Sequence, residues 1–408
     1  MDSITQVVLG AACGEMVGGK KIGNRAMIWG GIGGTIPDLD VLSNVWMNPL
    51  EAMTFHRGPM HSLLFAIVVP FILGPLVKKL YDGDWHTRNH WKWIGFGLGL
   101  LLFLLASTAI YILSSLMAGH FPWVVLLALL SIGVFFFRKR FLQLSSDHER
   151  KPNLTVKLWI QLFFWAIFTH PLLDSLTTYG TQLFWPFSDL RVSLSTVSIV
   201  DPLYTIPFAL TLLFAAILNR EDKLRAHVAR AGLLLSSLFL LFTVWNKNKV
   251  NTIFENTLKL HHVEVTDYMT VPTIFNNALW YGIGKTDTGF VCSYYSIFDE
   301  AKTFESLQFL SSHHQLMKPY ENQEICHKLS WFSDGYYQIQ SNNDSIFHHY
   351  DLRFGSTNGD LTRPEGIIFK MKMVDRGGKL CLLDEDRPDN KREDIEWFKK
   401  RIFGESIR

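Results

Sequence analysis

Eight apolar runs crowd the first 246 residues, near 3–18, 24–37, 62–80, 93–117, 121–137, 158–176, 201–218 and 229–246. A bilayer crossing takes about 20 residues of helix, and apolar runs bunched in one part of a chain point to lipid rather than to an ordinary globular core. The chain therefore reads as mainly α, with a polytopic helical membrane domain over residues 1–248 and a C-terminal extracytoplasmic α+β domain over 249–408. The first two runs are short. Gly10, Gly14 and Gly18 recur at every fourth position, as do Gly30 and Gly34, the spacing that lets two helix backbones touch; the competing reading of Gly30–Gly34 is a glycine-rich loop. Asp2 and Gln6 stand where a signal peptide would carry basic residues, so the first run is expected to stay as a membrane segment.

Charge orients the zigzag. The net charge of +2 leaves no polycationic face for nucleic acid. Up to residue 246, 17 of the basic residues fall on one side of the zigzag, from Lys20 and Lys21 to Arg225 and Arg230, and only Arg57 and Arg191 on the other. The positive-inside rule assigns the crowded side to the cytoplasm. The expectation is a multi-pass membrane protein, with lipid as its partner and both termini facing outward. The same path gathers Asp38, Asp40, His56, His61, His170, Asp174 and Asp201 at the outward ends of five segments, as a site assembled from several helices would require.

Beyond residue 250 the pattern becomes alternating: FVCSYYSIF, GYYQIQ, HHYDLRF and GIIFKMKM read as strands, and SNNDS and DRGGK as turns. Helices are expected near 299–313 and over KREDIEWFKKRIF, and the aromatic SWFSDGYYQIQ reads as core. Cys13 lies in an apolar run; the absence of any CxxC argues against a cysteine-rich zinc site, whereas one disulfide among Cys292, Cys326 and Cys381 is open if that region lies outside the cytosol.

Three stretches carry chemistry. In TIPDLD, Asp38 and Asp40 stand behind Pro37 at the end of an apolar run; carboxylates there become tolerable around a cation, the alternative being a helix-ending turn. In FHRGPMHS, Gly58 and Pro59 make a loop that presents His56 and His61, Ser62 can cap the following helix, and Arg57 suits an anionic group or a developing negative charge. In THPLLDS, His170 and Asp174 are one helical turn apart, so one metal can reach both.

Together these stretches resemble the family of membrane-bound, metal-dependent hydrolases related to bacterial YdjM and YfhP. The matching residues are Pro37-Asp38-Leu39-Asp40, then His56-Arg57-Gly58-Pro59-Met60-His61-Ser62, then His170, Asp174, Thr177 and Gly180 followed by Trp185-Pro186. Asp201-Pro202 and PTIFNNALWYGI are similar to segments of the YfhP-like branch. Met60 departs from the pattern, standing where many members have threonine.

The resemblance implies a divalent-metal hydrolase of a bacterial inner membrane. The expected ligands are Asp38, Asp40, His56, His61, His170 and Asp174, holding one or two ions, zinc first and manganese second. Arg57 and Asp201 are the expected catalytic residues, Arg57 on an anionic group and Asp201 as a partner of a histidine or of a second metal. A lipid-linked or anionic substrate fits a site at the outer membrane face, a phosphoester being the first choice of bond and an amide or carboxylic ester the others. Two rivals remain: an ion-binding transporter, and a non-catalytic membrane anchor with a structural metal.

Overall fold

The computed structural model describes residues 1–83, 131, 133, 154–343, 345–383 and 392–405. The runs at 93–117 and 121–137 lie outside the described residues. Residues 1–71 with 160–408 form one compact unit, and residues 72–159 another.

The larger unit opens with α1 (Ser3–Ile22) and α2 (Asn24–Thr35), folded back on each other at Gly23, whose φ of 62° is in the region glycine reaches most easily. A Cβ on Gly10 would stand 2.3 Å from the Gly30 carbonyl oxygen, and one on Gly34 would stand 2.4 Å from that of Gln6. Gly30 and Gly34 thus belong to a helix rather than a loop, and the two backbones are in direct contact. Arg225 crosses to the same hairpin, its Nε and Nη2 each 2.6 Å from a carboxylate oxygen of buried Glu15.

Pro37 stops α2, since it has no N–H to donate to the helix, and a 3-10 segment (Pro37–Val45) follows. Then come α3 (Pro49–Phe55), a 3-10 turn (Pro59–His61) and α4 (Leu63–Asp82). Ser62 does cap α4, its Oγ accepting the Phe65 N–H at 3.1 Å. Helices α5 (Val156–Ser175), α6 (Pro202–Ile217) and α7 (Lys223–Leu260) complete the helical part. α4, α5 and α7 are long and apolar enough to cross a membrane; α6 is a shorter apolar helix. Phe71, Leu210, Leu213, Leu234 and Leu241 are exposed on these helices, as expected of surfaces that meet lipid rather than water. In the smaller unit Tyr81 stacks on Trp159 with ring centroids 5.6 Å apart.

Helix α7 runs without a break through residue 248. Its last turns put Val250, Ile253, Phe254 and Leu258 into one core with Trp280, Val291, Tyr295 and Phe304. Among the described residues the C-terminal part holds two four-stranded antiparallel sheets in sequential order. The first is β1 (Asp267–Pro272), β2 (Leu279–Lys285), β3 (Gly289–Ser296) and β4 (Glu305–Ser311). The second is β5 (Tyr337–Asn343), β6 (Ile346–Ser356), β7 (Ile367–Asp375) and β8 (Leu380–Leu383). Tyr281, Ile283 and Tyr294 of the first share a core with Tyr350, Leu352 and Ile367 of the second. Helices α8 (Glu324–Phe332) and α9 (Arg392–Ile402) pack with them.

The helix expected near 299–313 is a correction: Glu305–Ser311 is strand β4, paired with β3 through Phe290↔Leu310 and Val291↔Phe309. Pairing with a neighbouring strand outweighs weak local helix preference there. The aromatic stretch divides, Trp331 and Phe332 closing α8 before β5 starts at Tyr337. It is core, as expected, with Phe332, Tyr336 and Ile339 all buried. Cys292, Cys326 and Cys381 are unpaired.

Candidate metal centre

Four residues from three elements meet behind the α1–α2 hairpin. Asp38 comes from the 3-10 segment after α2, His61 from the turn before α4, and His170 and Asp174 from one face of α5. Each offers one ligand atom, and these atoms all lie within 4.8 Å of one another. The Nε2 atoms of His61 and His170 are 3.1 Å apart. Asp174 Oδ2 is 3.3 Å from the first and 3.2 Å from the second; Asp38 Oδ1 is 3.6 and 3.4 Å from them. A tetrahedral ion with nitrogen ligands at about 2.0–2.1 Å would hold two of them roughly 3.4 Å apart, so the donors fit around one ion.

The surrounding hydrogen bonds aim these atoms inward. His170 Nδ1 meets the Gly34 carbonyl oxygen at 2.5 Å, which makes Nδ1 the protonated nitrogen and leaves Nε2 a free lone pair. Asp174 Oδ1 is tied back by the amino group of Met1 and by Gln6 Nε2 at 3.0 Å. Its Oδ2 is buried with no hydrogen-bond partner, an orphan that a cation would satisfy. Ser3 Oγ donates to Asp38 Oδ2 at 2.8 Å, leaving Oδ1 for the cluster. His61, His170 and Asp174 are closed to solvent, while the Asp38 side chain is 20% exposed, so the cluster opens on the Asp38 side.

Asp40 and His56 stand beside these four rather than among them. Asp40 Oδ1 pairs with His56 Nδ1 at 2.9 Å and Oδ2 accepts the Arg57 backbone N–H at 2.9 Å. The same Oδ2 is 3.1 Å from His61 Nδ1 but off the line of a hydrogen bond, so that this buried nitrogen has no hydrogen-bond partner. The contact is an electrostatic one that steers the His61 ring. Asp40 is thus placed to organise the whole His56–His61 loop. Arg57 sits in that loop at φ 58°, a left-handed conformation that costs a non-glycine residue about 1–2 kcal/mol and that the Asp40 bond helps hold.

Arg57 is 5% exposed. Its Nη1 donates to Thr177 Oγ1 at 2.8 Å and its Nη2 lies 3.6 Å from Asp174 Oδ1, which puts a fixed positive charge against the cluster. Asp201 caps α6, its Oδ1 accepting from the Leu203 and Tyr204 N–H groups at 3.0 and 3.3 Å. Among the described residues it makes no hydrogen bond or ion pair with the four clustered ones. Burial raises its carboxyl, consistent with a buried cap whose Oδ2 has no partner.

Sequence reasoning passed over Gln6, the Gly34 carbonyl and Ser3 as parts of this site. Gln6 did carry a signal: an amide one helical turn from Gly10, on a face that is otherwise glycine and apolar, is 1% exposed and has to find a buried partner.

No curated protein and no solved structure matches the chain. The family model described as YdjM inner membrane protein matches residues 1–250, the stretch that contains every residue of the centre, and the chain belongs to that family.

Proposed function

We propose that this protein is a membrane-bound, divalent-metal-dependent hydrolase whose site faces outward and acts on an anionic, lipid-linked substrate, a phosphoester first. The observation that carries the reading is the convergence of two imidazoles and two carboxylates within 4.8 Å, beside a buried Arg57 whose Nη2 is 3.6 Å from Asp174. Asp38, His61, His170 and Asp174 would hold the ion, zinc or manganese by the mix of donors. When bound, it supplies a Lewis acid and an activated water.

The chain's own residues do the rest. Asp40 keeps His56, His61 and Arg57 in register. Gln6 turns Asp174 so that Oδ2 faces the centre. Arg57 offers a guanidinium to an anionic group or to charge that develops during bond cleavage. Entry is from the Asp38 side, where Leu39, Val41, Leu42, Val45 and Trp46 are half or more exposed. An apolar collar beside a polar centre suits the boundary between headgroups and acyl chains, which supports a lipid-like substrate. The outward orientation rests on the 17 basic residues of the opposite loops.

One observation favours a second reading. Four protein donors can close a tetrahedral ion completely, as in structural sites, and the protein would then be an anchor for its C-terminal domain. Turnover decides between them. Purified, metal-loaded protein is assayed on water-soluble and lipid phosphoesters, with His61→Ala and Asp174→Ala as controls. Hydrolysis lost in both variants supports the enzyme, and bound metal without turnover on either class supports the anchor.

A further inference from the structure

Next to the centre, the protein buries more positive charge than it neutralises. Arg57 and Arg191 both lean on the Tyr179 ring, their guanidinium carbons 4.8 and 4.6 Å from its centroid. Arg191 also lies over Phe332 at 4.4 Å and Trp331 at 5.2 Å, so it is held between the loop that carries it and the end of α8. Tyr179 in turn packs edge-on against His56, with ring centroids 5.4 Å apart, and this joins the cluster to the metal centre. Arg191 Nη2 donates to the Tyr179 carbonyl oxygen. Its Nε and Nη1, like Arg57 Nε, are closed to solvent and have no hydrogen-bond partner.

Among the described residues no carboxylate pairs with Arg191, and Arg57 has only the 3.6 Å approach to Asp174. The third guanidinium nearby, Arg353 over Phe332, is already spoken for by Asp351 at 2.6 Å. Burial and the neighbouring Arg353 and Arg57 charges hold the Arg191 guanidinium down to about 10, still protonated at neutral pH. Arg191 as a whole is half-buried, but a guanidinium with two donor atoms closed off and idle is costly unless something anionic completes it, and aromatic faces satisfy its charge only in part. The planar fork of arginine matches the oxygens of a phosphate group with two parallel hydrogen bonds. A cavity of about 360 Å³, walled by Thr54, Gln182, Asp189, His327 and Lys328, shares Trp331 with the cluster.

We propose that Arg191 and Arg57 form an anion subsite that takes the phosphate group of a phosphomonoester or lipid phosphate and holds it beside the metal centre. The proposal deepens the hydrolase reading by naming the group recognised, and Arg191 becomes a binding residue rather than a lone outward-side charge.

The test is run on full-length protein in detergent after treatment with a chelator, so that it does not depend on metal or turnover. Inorganic phosphate, short-chain phosphatidic acid in mixed micelles and uncharged short-chain diacylglycerol are titrated by calorimetry against wild type, Arg191→Gln and Arg191→Lys. Loss of two charged hydrogen bonds implies that Arg191→Gln weakens phosphate binding at least ten-fold, with Arg191→Lys in between and diacylglycerol unaffected. Tighter binding of phosphatidic acid than of inorganic phosphate assigns the subsite to a lipid headgroup, and the reverse to a soluble phosphate. Equal phosphate affinity in wild type and Arg191→Gln, or no phosphate binding by a wild type whose thermal transition is intact, overturns the subsite. Because the metal is absent throughout, a failed hydrolase assay leaves this result standing, and the converse also holds.

Discussion

Replacing Gly30 by alanine tests how the helix hairpin builds the site. An added Cβ would sit 2.2 Å from the Gly10 carbonyl oxygen and 2.8 Å from the Gly14 Cα, whereas ordinary van der Waals contact begins at 3.4 Å. Both obstacles are backbone, so α1 and α2 must part by about 1 Å. Overpacking of this kind costs about 1–3 kcal/mol or more. Two backbone obstacles put this case at the upper end of that range, and with about 1 kcal/mol returned by alanine's better helix propensity the net loss is about 2 kcal/mol. Gly31→Ala is the control, because on the same helix its Cβ first meets the Val7 Cγ1 side-chain atom at 3.3 Å; its stability should stay within about 1 kcal/mol of wild type. The displacement also reaches the centre, since the Gly34 carbonyl oxygen lies one turn on and receives His170 Nδ1 at 2.5 Å. Thermal unfolding of the purified protein in detergent, followed by tryptophan fluorescence, reads the stability, and metal titration reads the site. A Gly30→Ala protein as stable as Gly31→Ala would refute the close backbone contact and the argument built on it.

Other consequences follow from single contacts. Asp40→Asn removes the charge that His56, His61 and Arg57 share, and metal affinity should fall about 10–100-fold without being abolished, as measured by competition with a chelating dye. Glu15→Ala leaves Arg225 buried and unpaired, a loss of about 3–5 kcal/mol; Glu15 and Arg225 replaced together by apolar residues should recover most of it in the same unfolding assay. His349 in the C-terminal sheets is buried against Ser333 Oγ at 2.8 Å, and burial, then the His314 and Arg353 charges, push it down to about 3 from 6.5. Because the folded protein resists this proton and the unfolded chain accepts it, stability should be complete above about pH 6.5 and fall by a few kcal/mol as the pH drops toward 3. His349→Asn should flatten that slope in denaturation curves taken across the range, and an unchanged slope would remove His349 as its cause.

Much of the site could be read from residues alone because its parts are local. His170 and Asp174 face one way through helical spacing, Ser62 caps a helix one residue after His61, and the glycines at every fourth position mark a backbone contact. What could not be read was the division of labour among the six candidate ligands. Asp38 and Asp40 are alike in sequence, yet the 3-10 turn sends Asp38 Oδ1 toward the histidine Nε2 atoms and Asp40 toward the loop backbone, a difference of side-chain direction that spacing does not encode. Arg191 was visible only as a charge on the outward side, since its partners Tyr179, Trp331 and Phe332 are brought to it by tertiary packing. Strand β4 was hidden for the same reason, its identity set by pairing with β3.

The central claim is that Asp38, His61, His170 and Asp174 hold a metal ion. Its most direct test is the metal content, by mass spectrometry, of protein purified without chelator and supplemented with zinc or manganese: wild type, the four single alanine variants, and His56→Ala as a neighbour outside the cluster. The account predicts near-stoichiometric metal in wild type and in His56→Ala, and loss of it in each of the four. Metal content unchanged by all four substitutions, or a folded wild type that takes up no metal, would contradict it.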